Sequence, residues 1–330
     1  MPSLSPAIAE IRLAVRTALA ELPEGSTVIV ALSGGADSLA LAAATAFEAP
    51  RLELRAASLT VDHGLQDDSA EVASLAARRA AELGLDPLIV RVEVGGEGGP
   101  EAAAREARYG VLRDAAVDVR AAAVLLGHTL DDQAETVLLG LARGSGAASL
   151  QGMAPVREDD DGLRWIRPLL GVRRETTRAF CAASDLEPWD DPHNRDDRYA
   201  RVRVRERVLP VLEAELGPGI ADALVRTAEQ LREDSEAFDE MIHETIEDIV
   251  EHAEAGISVS VAALAANPAA LRNRIIRLVV DSEFGVGLTR TQTVEVARLV
   301  TDWSGQGPID LPGCSAVRRG GRIVFTASGR

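Results

Sequence analysis

The stretch Val28-Ile29-Val30-Ala31-Leu32-Ser33-Gly34-Gly35-Ala36-Asp37-Ser38 decides the architecture of this chain. Its apolar first half has the length and β-branched content of a buried strand, the glycine pair breaks it, and a helix is expected from Ser38 to about Phe47. Two adjacent glycines let the backbone approach an anion, and the helix start presents free N–H groups with a partial positive charge. Ser33 and Ser38 add hydroxyl donors. A lone Ser-Gly-Gly would read as a tight capped turn; the Asp and the second Ser at fixed offsets shift the reading to a loop for phosphate or pyrophosphate. The GxxxxGK[ST] loop is absent and its lysine is not available, because all 35 fixed positive charges are arginines. Nucleotide hydrolysis through that motif is excluded.

Outward from this stretch, strands alternate with helices. Strands are expected at Leu54 to Val61, Leu88 to Val94 and Ala122 to Gly127, and helices at about Ser69 to Leu83, Glu101 to Val117 and Asp131 to Ala142. This alternation implies a parallel, doubly wound sheet covered on both faces, with ligands beyond the carboxyl ends of its strands. Strand signals thin out from about Arg173, where helices are expected at Arg173 to Ala183 and about Val202 to Glu215. Gly217-Pro218-Gly219 then breaks the chain, giving a first domain of residues 1–216 and a second, mainly helical domain of residues 217–330. The second would hold a long acidic helix from Ile220 to about His252, helices near Pro268 to Val280 and Thr291 to Val300, and a small strand pair between Ile309 and Phe325.

The two cysteines, Cys181 and Cys314, form no CxxC pair, which speaks against a disulfide framework or a cysteine zinc site. No apolar run is long enough to span a bilayer and the first ten residues do not resemble a signal peptide, so a cytoplasmic enzyme without a membrane partner is expected. The net charge of −17 is unevenly placed: fourteen acids face two arginines between Glu213 and Glu254, and eleven arginines face eight acids between Arg164 and Arg207. Six of those arginines, among them Arg201 and Arg205, fall within thirteen residues. Such a run is a solvated face or a phosphate-contacting patch.

A second motif, Gly127-His128-Thr129-Leu130-Asp131-Asp132-Gln133-Ala134-Glu135-Thr136, follows the fourth strand and opens a helix. Asp131 and Glu135 share a helix face with Asp132 beside them. Three acids at the sheet's carboxyl edge suit magnesium or a substrate ammonium. Thr129 is placed to cap the helix, and the acids complement its dipole.

Ser33-Gly34-Gly35-Ala36-Asp37-Ser38 matches the SGGxDS signature of the PP-loop ATP pyrophosphatases, whose loop holds the pyrophosphate part of ATP while the α-phosphorus is attacked. The run from His128 through Arg143-Gly144-Ser145-Gly146 to Leu150-Gln151-Gly152-Met153 closely resembles the hallmark of tRNA(Ile)-lysidine synthases. Val61-Asp62-His63-Gly64-Leu65, Ala104-Arg105-Glu106-Ala107-Arg108-Tyr109, Arg167-Pro168-Leu169-Leu170, Asp191-Pro192-His193-Asn194 and Arg201-Val202-Arg203-Val204-Arg205 resemble further segments of that family. His193 stands where Ser is common and Val202 where Asn is common. The likeness covers roughly residues 26 to 215.

The resemblance implies a sheet of the adenine nucleotide alpha-hydrolase-like type, ATP and Mg2+ as requirements, and free L-lysine and a tRNA(Ile) with a CAU anticodon as partners. The wobble cytidine's C2 oxygen would be adenylated and lysine would then displace AMP. Ser33, Gly34, Gly35, Ala36, Asp37 and Ser38 would hold ATP with His63, Arg105 and His128. Asp37, Asp131 and Asp132 would be catalytic, Asp37 and Asp132 would bind the metal, Glu135 the substrate lysine, and Arg201 and Arg205 the tRNA. A homodimer is compatible with the sequence. A tRNA 2-thiolase of the same superfamily would need paired thiols or an iron–sulfur cluster, which two distant cysteines do not supply. A non-catalytic ATP-binding module is the rival from another class, and tRNA-dependent pyrophosphate release would reject it.

Overall fold

The computed structural model describes residues 5–62, 64, 69–92, 100–144, 146–191, 196–253 and 256–328. His63, expected at the ATP site, and His193, Asn194 and Arg195 lie outside these residues. The described chain divides into two compact units, Met1–Leu231 and Arg232–Arg330.

In the first unit the apolar run forms strand β1 (Thr27–Ala31), whose side chains alternate between two cores. Val28 and Val30 face one and Ile29 the other, as the two-residue period of a strand requires. β1 pairs in parallel with β2 (Arg55–Asp62) and β4 (Ala121–Leu125), and β2 with β3 (Asp86–Arg91). The hairpin β5 (Val156–Glu158) and β6 (Arg164–Ile166) completes the six-stranded order β3-β2-β1-β4-β6-β5, with only β5 antiparallel.

Helices cover both faces. α1 (Pro6–Leu19), α2 (Ala36–Glu48), α3 (Ser69–Glu82) and α7 (Arg174–Ala183) contribute to the core of one face, and α4 (Pro100–Asp118) to that of the other. α1 and the β5–β6 hairpin are not among the elements expected from the sequence. α1 carries its own signal: Pro opens it, and Ala7, Ile11, Val15 and Leu19 are all buried at four-residue spacing. α5 (Leu130–Ala142) and α6 (Ala147–Leu150) follow β4. The helix expected near Val202 runs as α8 (Ala200–Arg203), a π-helical turn Val204–Val208 and α9 (Leu209–Leu216), with helical backbone throughout. Pro210 stands in the first turn of α9, and the widened π-helical turn before it accommodates its missing N–H.

Gln133 of α5 folds against Met153, donating from Nε2 to the Met153 carbonyl (2.9 Å) and accepting from the Met153 N–H (2.7 Å). Gly152 makes room for this pair: its φ is +63°, and a Cβ there would stand 2.5 Å from Gln133 Oε1. Gly152→Ala is therefore expected to cost about 2–4 kcal/mol, from the left-handed backbone and the displaced amide pair together, as read by denaturant unfolding.

In the second unit, the last part of α10 (Ile220–Ile249) packs Ile242 with α11 (Val261–Ala266), α12 (Ala269–Phe284) and α13 (Arg290–Thr301). These cover a five-stranded antiparallel sheet of order β7-β8-β11-β10-β9, made of β7 (Val250–Ala253), β8 (Gly256–Ser260), β9 (Ile309–Leu311), β10 (Cys314–Arg319) and β11 (Arg322–Ala327). The expected strand pair is thus part of a larger sheet. The long helix ends at Ile249, before His252, because Val250–Ala253 pairs with β8, which buries Ile257 and Val259. A Cβ at Gly256 would overlap the Phe325 carbonyl, so glycine is needed where β8 meets β11. No helix among the described residues is long and apolar enough to cross a membrane.

Candidate active site

The loop after β1 turns at Gly34, whose φ of +87° suits glycine and whose carbonyl accepts the Trp189 N–H at 2.9 Å. Ser38, buried in the first turn of α2, accepts the Ser33 N–H (3.2 Å) and donates to the Gly35 carbonyl (3.0 Å). Ser33 Oγ lies 3.1 Å from Ser38 Oγ. At the end of β4, Gly127 backs this loop so closely that a Cβ would stand 3.1 Å from Ser38 N and Cα. The segment leading to Asp132 and the loop 33–38 are therefore neighbours at the carboxyl edge of the sheet.

Thr129 caps α5 in a reciprocal box with Asp132, whose Oδ2 accepts the Thr129 N–H and hydroxyl, both at 2.8 Å. The other Asp132 oxygen accepts from Arg174 Nη2 (2.7 Å) and Arg201 Nη2 (3.2 Å). One turn further, Glu135 is fully buried and holds three guanidinium groups: Arg174 at 3.0 Å, Arg201 at 2.7 Å and Arg205 at 2.8 Å. Asp131 faces differently. Its Oδ2 accepts the Arg174 backbone N–H (2.8 Å), so it caps the start of α7. Asp37 accepts from the Thr177 hydroxyl and lies 3.7 Å from Arg174 Nε.

These surroundings set the charges. Burial pushes Asp37 above the usual carboxylate range. Burial would also raise Asp132, but Arg174, Arg201 and the Thr129 N–H outweigh it and bring the carboxyl from 3.8 to about 2. Glu135 is lowered in the same way: burial opposes, and Arg205 and Arg174 prevail. Arg174 is held firmly charged by Asp132, Glu135 and Asp37 despite its burial.

A stability prediction follows from Asp132. A carboxyl depressed on folding stabilises the fold above its unfolded value, and that contribution is lost as pH falls through its folded value. About 2 kcal/mol of unfolding free energy should therefore disappear between roughly pH 4 and pH 2. Denaturant titrations across that range check it, and Asp132→Asn should flatten the loss.

A second group of cations lies alongside. Arg108 Nε, Arg167 Nε and His128 Nδ1 are all buried without a hydrogen-bond partner among the described residues. Burial, with Arg167, Arg108 and Arg201 nearby, lowers the His128 imidazole to about 3, so it is neutral at pH 7. Arg108 is surrounded by Arg105 and Arg201, and among the described residues no carboxylate relieves it. Exposed Arg105 stacks on Tyr109, with its hydroxyl at 3.3 Å. Arg105 thus stands with Arg108, Tyr109 and Arg167, and the cluster as a whole is short of negative charge, as an anion site should be.

The structure brings Ser33 to Ser38, His128, Asp131, Asp132, Glu135, Arg201 and Arg205 to one edge. Arg174 and Thr177, which join this site, are not among the residues expected from the sequence. Arg173 and Arg174 did leave a signal, since a pair of cations opening a helix opposes its dipole and calls for nearby acids. Asp62 accepts the Gly64 N–H at 3.0 Å, which gives the first residue of the Asp62-His63-Gly64 motif a turn-forming role. Cys181, buried beneath the loop with its thiol pushed by burial to about 11, is unsuited to thiolate chemistry.

The chain matches the model of the PP-loop domain over residues 9–212 and that of the TilS substrate binding domain over residues 260–324. It is 60% identical to the tRNA(Ile)-lysidine synthase of Leifsonia xyli subsp. xyli (strain CTCB07) over 306 residues, covering 92% of this chain and 91% of that one. It is 50% identical to the tRNA(Ile)-lysidine synthase of Thermobifida fusca (strain YX) over 327 residues, covering 98% of both. Among solved structures, the U34-tRNA thiolase NcsA from Methanococcus maripaludis with its [4Fe-4S] cluster superposes with a TM-score of 0.59 at 20% identity, covering 69% of this chain and 80% of that one. That likeness is one of fold.

Proposed function

This chain belongs to the family of the tRNA(Ile)-lysidine synthases, and we propose that it carries out their reaction, joining free lysine to the wobble cytidine of a CAU-anticodon tRNA(Ile) at the expense of ATP. The cytidine C2 oxygen attacks the α-phosphorus of ATP, forming a C–O–P bond as the bond to pyrophosphate breaks. The side-chain amine of lysine then attacks C2, the C–O bond breaks, and AMP leaves with that oxygen while the amine gives up its proton. The tRNA's decoding changes from AUG to AUA.

One observation carries this reading: a phosphate-type loop adjoins a buried acid pair, Asp132 and Glu135, that already holds cationic side chains. A site that stabilises guanidinium groups is chemically suited to the ammonium of lysine. Ser33, Gly34, Gly35, Ala36 and Ser38 would grip the pyrophosphate. His128, with Arg105 and its neighbours Arg108 and Arg167, would face the nucleotide's remaining negative charge. His63 would join them from the neighbouring strand end. Arg201 and Arg205 would exchange Glu135 for backbone phosphates as the tRNA enters, freeing Glu135 for lysine.

Magnesium needs hard oxygen ligands and commonly takes one or two carboxylates together with substrate phosphates. Asp37 fits this, since among the described residues the one cation within 4 Å of its Oδ2 is the Arg174 guanidinium, at 3.7 Å. Asp132 would join it on giving up Arg174. Bound there, the ion would neutralise charge at the phosphoryl group. Asp131 would act through Arg174, whose helix it caps.

The reaction is tested by incubating the enzyme with ATP, labelled lysine and several tRNAs. Label is expected only in the CAU-anticodon tRNA(Ile), with one pyrophosphate released for each lysine incorporated. An unlabelled tRNA would reject the reading.

A further inference from the structure

Beyond α7 the chain leaves the helix sharply and returns to the phosphate loop. Asp185 takes a left-handed φ of +53°, and the Leu186 N–H closes on the Cys181 carbonyl at 2.9 Å. Glu187 and Pro188 follow, and the proline ring limits the backbone freedom of both. Arg79 of α3 holds this segment, donating to the Glu187 carbonyl and pairing with its carboxylate at 3.5 Å. Trp189 ties it to the loop: its N–H donates to the Gly34 carbonyl (2.9 Å), and a Cβ on Gly34 would stand 3.7 Å from the Cβ atoms of Trp189 and Ala76. The root of the Trp189 side chain is thus fixed against the turn of the phosphate loop.

Other rings of the first unit are engaged elsewhere. Trp165 and Phe180 are buried, Tyr109 is tilted against Trp165 at 4.9 Å, and Phe47 lies between Arg12 and Arg51. Trp189 is half-buried; among the described residues its ring meets no other aromatic ring or guanidinium, and its indole N–H donates to nothing. A large ring that keeps a partly open face, and is anchored through its own main chain, suits a ligand better than a core. The reaction brings two planar rings to this loop. The cytidine C2 oxygen must reach the α-phosphorus beside the pyrophosphate, and a base splayed out of its RNA stack loses its neighbours. The adenine of ATP is tied to the same phosphorus through its ribose. Either ring would gain about 10–100-fold in binding from an indole face. We infer that Trp189 is a stacking platform for a nucleobase at the phosphate loop. This rests on the reading of ATP and tRNA as substrates and adds to it the surface on which one of their bases lies.

The test uses the full chain and reads indole fluorescence, which falls when a base stacks on the ring. The chain has three tryptophans, so the signal of Trp189 is the difference between the wild type and Trp189→Phe. ATP is titrated first. An ATP analogue uncleavable at the α–β bond is then held saturating while CAU-anticodon or GAU-anticodon tRNA(Ile) is added. Quenching by ATP alone assigns the platform to adenine; quenching by the CAU tRNA and not the GAU tRNA assigns it to the cytidine. Rates are compared for Trp189→Phe, which keeps a ring, and Trp189→Leu, which keeps apolar bulk beside Gly34 and Ala76 without one. Trp189→Leu should raise the KM of the substrate that quenches by about 10–100-fold, with the other KM unchanged, and Trp189→Phe should restore most of the loss. If neither ATP nor the CAU tRNA selectively quenches Trp189, or if Trp189→Leu and Trp189→Phe have equal KM values, the platform is overturned and Trp189 only packs against the loop. The quenching is read on the wild type and Trp189→Phe, so it decides the matter even where Trp189→Leu unfolds. It needs no turnover: a wild type whose Trp189 is quenched but that makes no lysidine supports the platform and rejects the reaction.

Discussion

Replacing Glu135 with Gln is expected to reduce lysine transfer by about 10²–10³-fold while tRNA-dependent pyrophosphate release changes far less. The carboxylate is fully buried and accepts from Arg174, Arg201 and Arg205, so its charge is the principal counterweight to three cations. Gln keeps the shape and removes that charge. On the proposed reading lysine would then lose the partner of its ammonium group, but the loop 33–38 keeps all its own contacts. The same substitution leaves guanidinium groups uncompensated and should cost about 3–5 kcal/mol of stability. Assays are therefore best run well below the melting temperature, with Glu135→Asp as a partial rescue. Equal loss of adenylation and lysine transfer would reject Glu135 as the lysine ligand and leave it a purely structural anchor.

Gly127→Val should reduce ATP use by about 10²-fold through the loop rather than through any contact of its own with ATP. A Cβ at this position meets Ser38 N and Cα at 3.1 Å and the Asp37 carbonyl carbon at 3.2 Å. These are backbone atoms and cannot swing aside as a side-chain end does. The added branch would push the first turn of α2 away from the phosphate position, raising the KM for ATP and lowering the rate of pyrophosphate release. Gly110→Ala, whose Cβ meets nothing within 4 Å, is the matched control and should be neutral or slightly stabilising. An unchanged ATP dependence in Gly127→Val would show that the loop is not held from behind.

Much of the first unit was legible because its signals are local. The apolar run of β1, the glycine turn and the capping residue Thr129 each act within a few positions, so their spacing alone announces them. The second unit was less legible. Its sheet joins β8 to β11, pairing Val259 with Ile323, and no local pattern specifies a partner that far along the chain. The π-helical turn before Pro210 is easily passed over, because the flanking residues keep a helical pattern.

By itself, the sequence determined the glycine turn after β1, the alternation of strands and helices from β1 to α5, and the acids that stand at the sheet's edge. Those features depend on short spacings and on which residues can adopt a tight turn. Only the tertiary structure decided what each acid does. It turned Asp131 to the start of α7, Asp37 to Thr177, and Glu135 to Arg174, Arg201 and Arg205, partners 39, 66 and 70 residues away. The reason is electrostatic. A buried carboxylate must find a cation, and which cation reaches it is set by how α5, α7 and the turn at Val204–Val208 pack together, a matter that residue spacing cannot express.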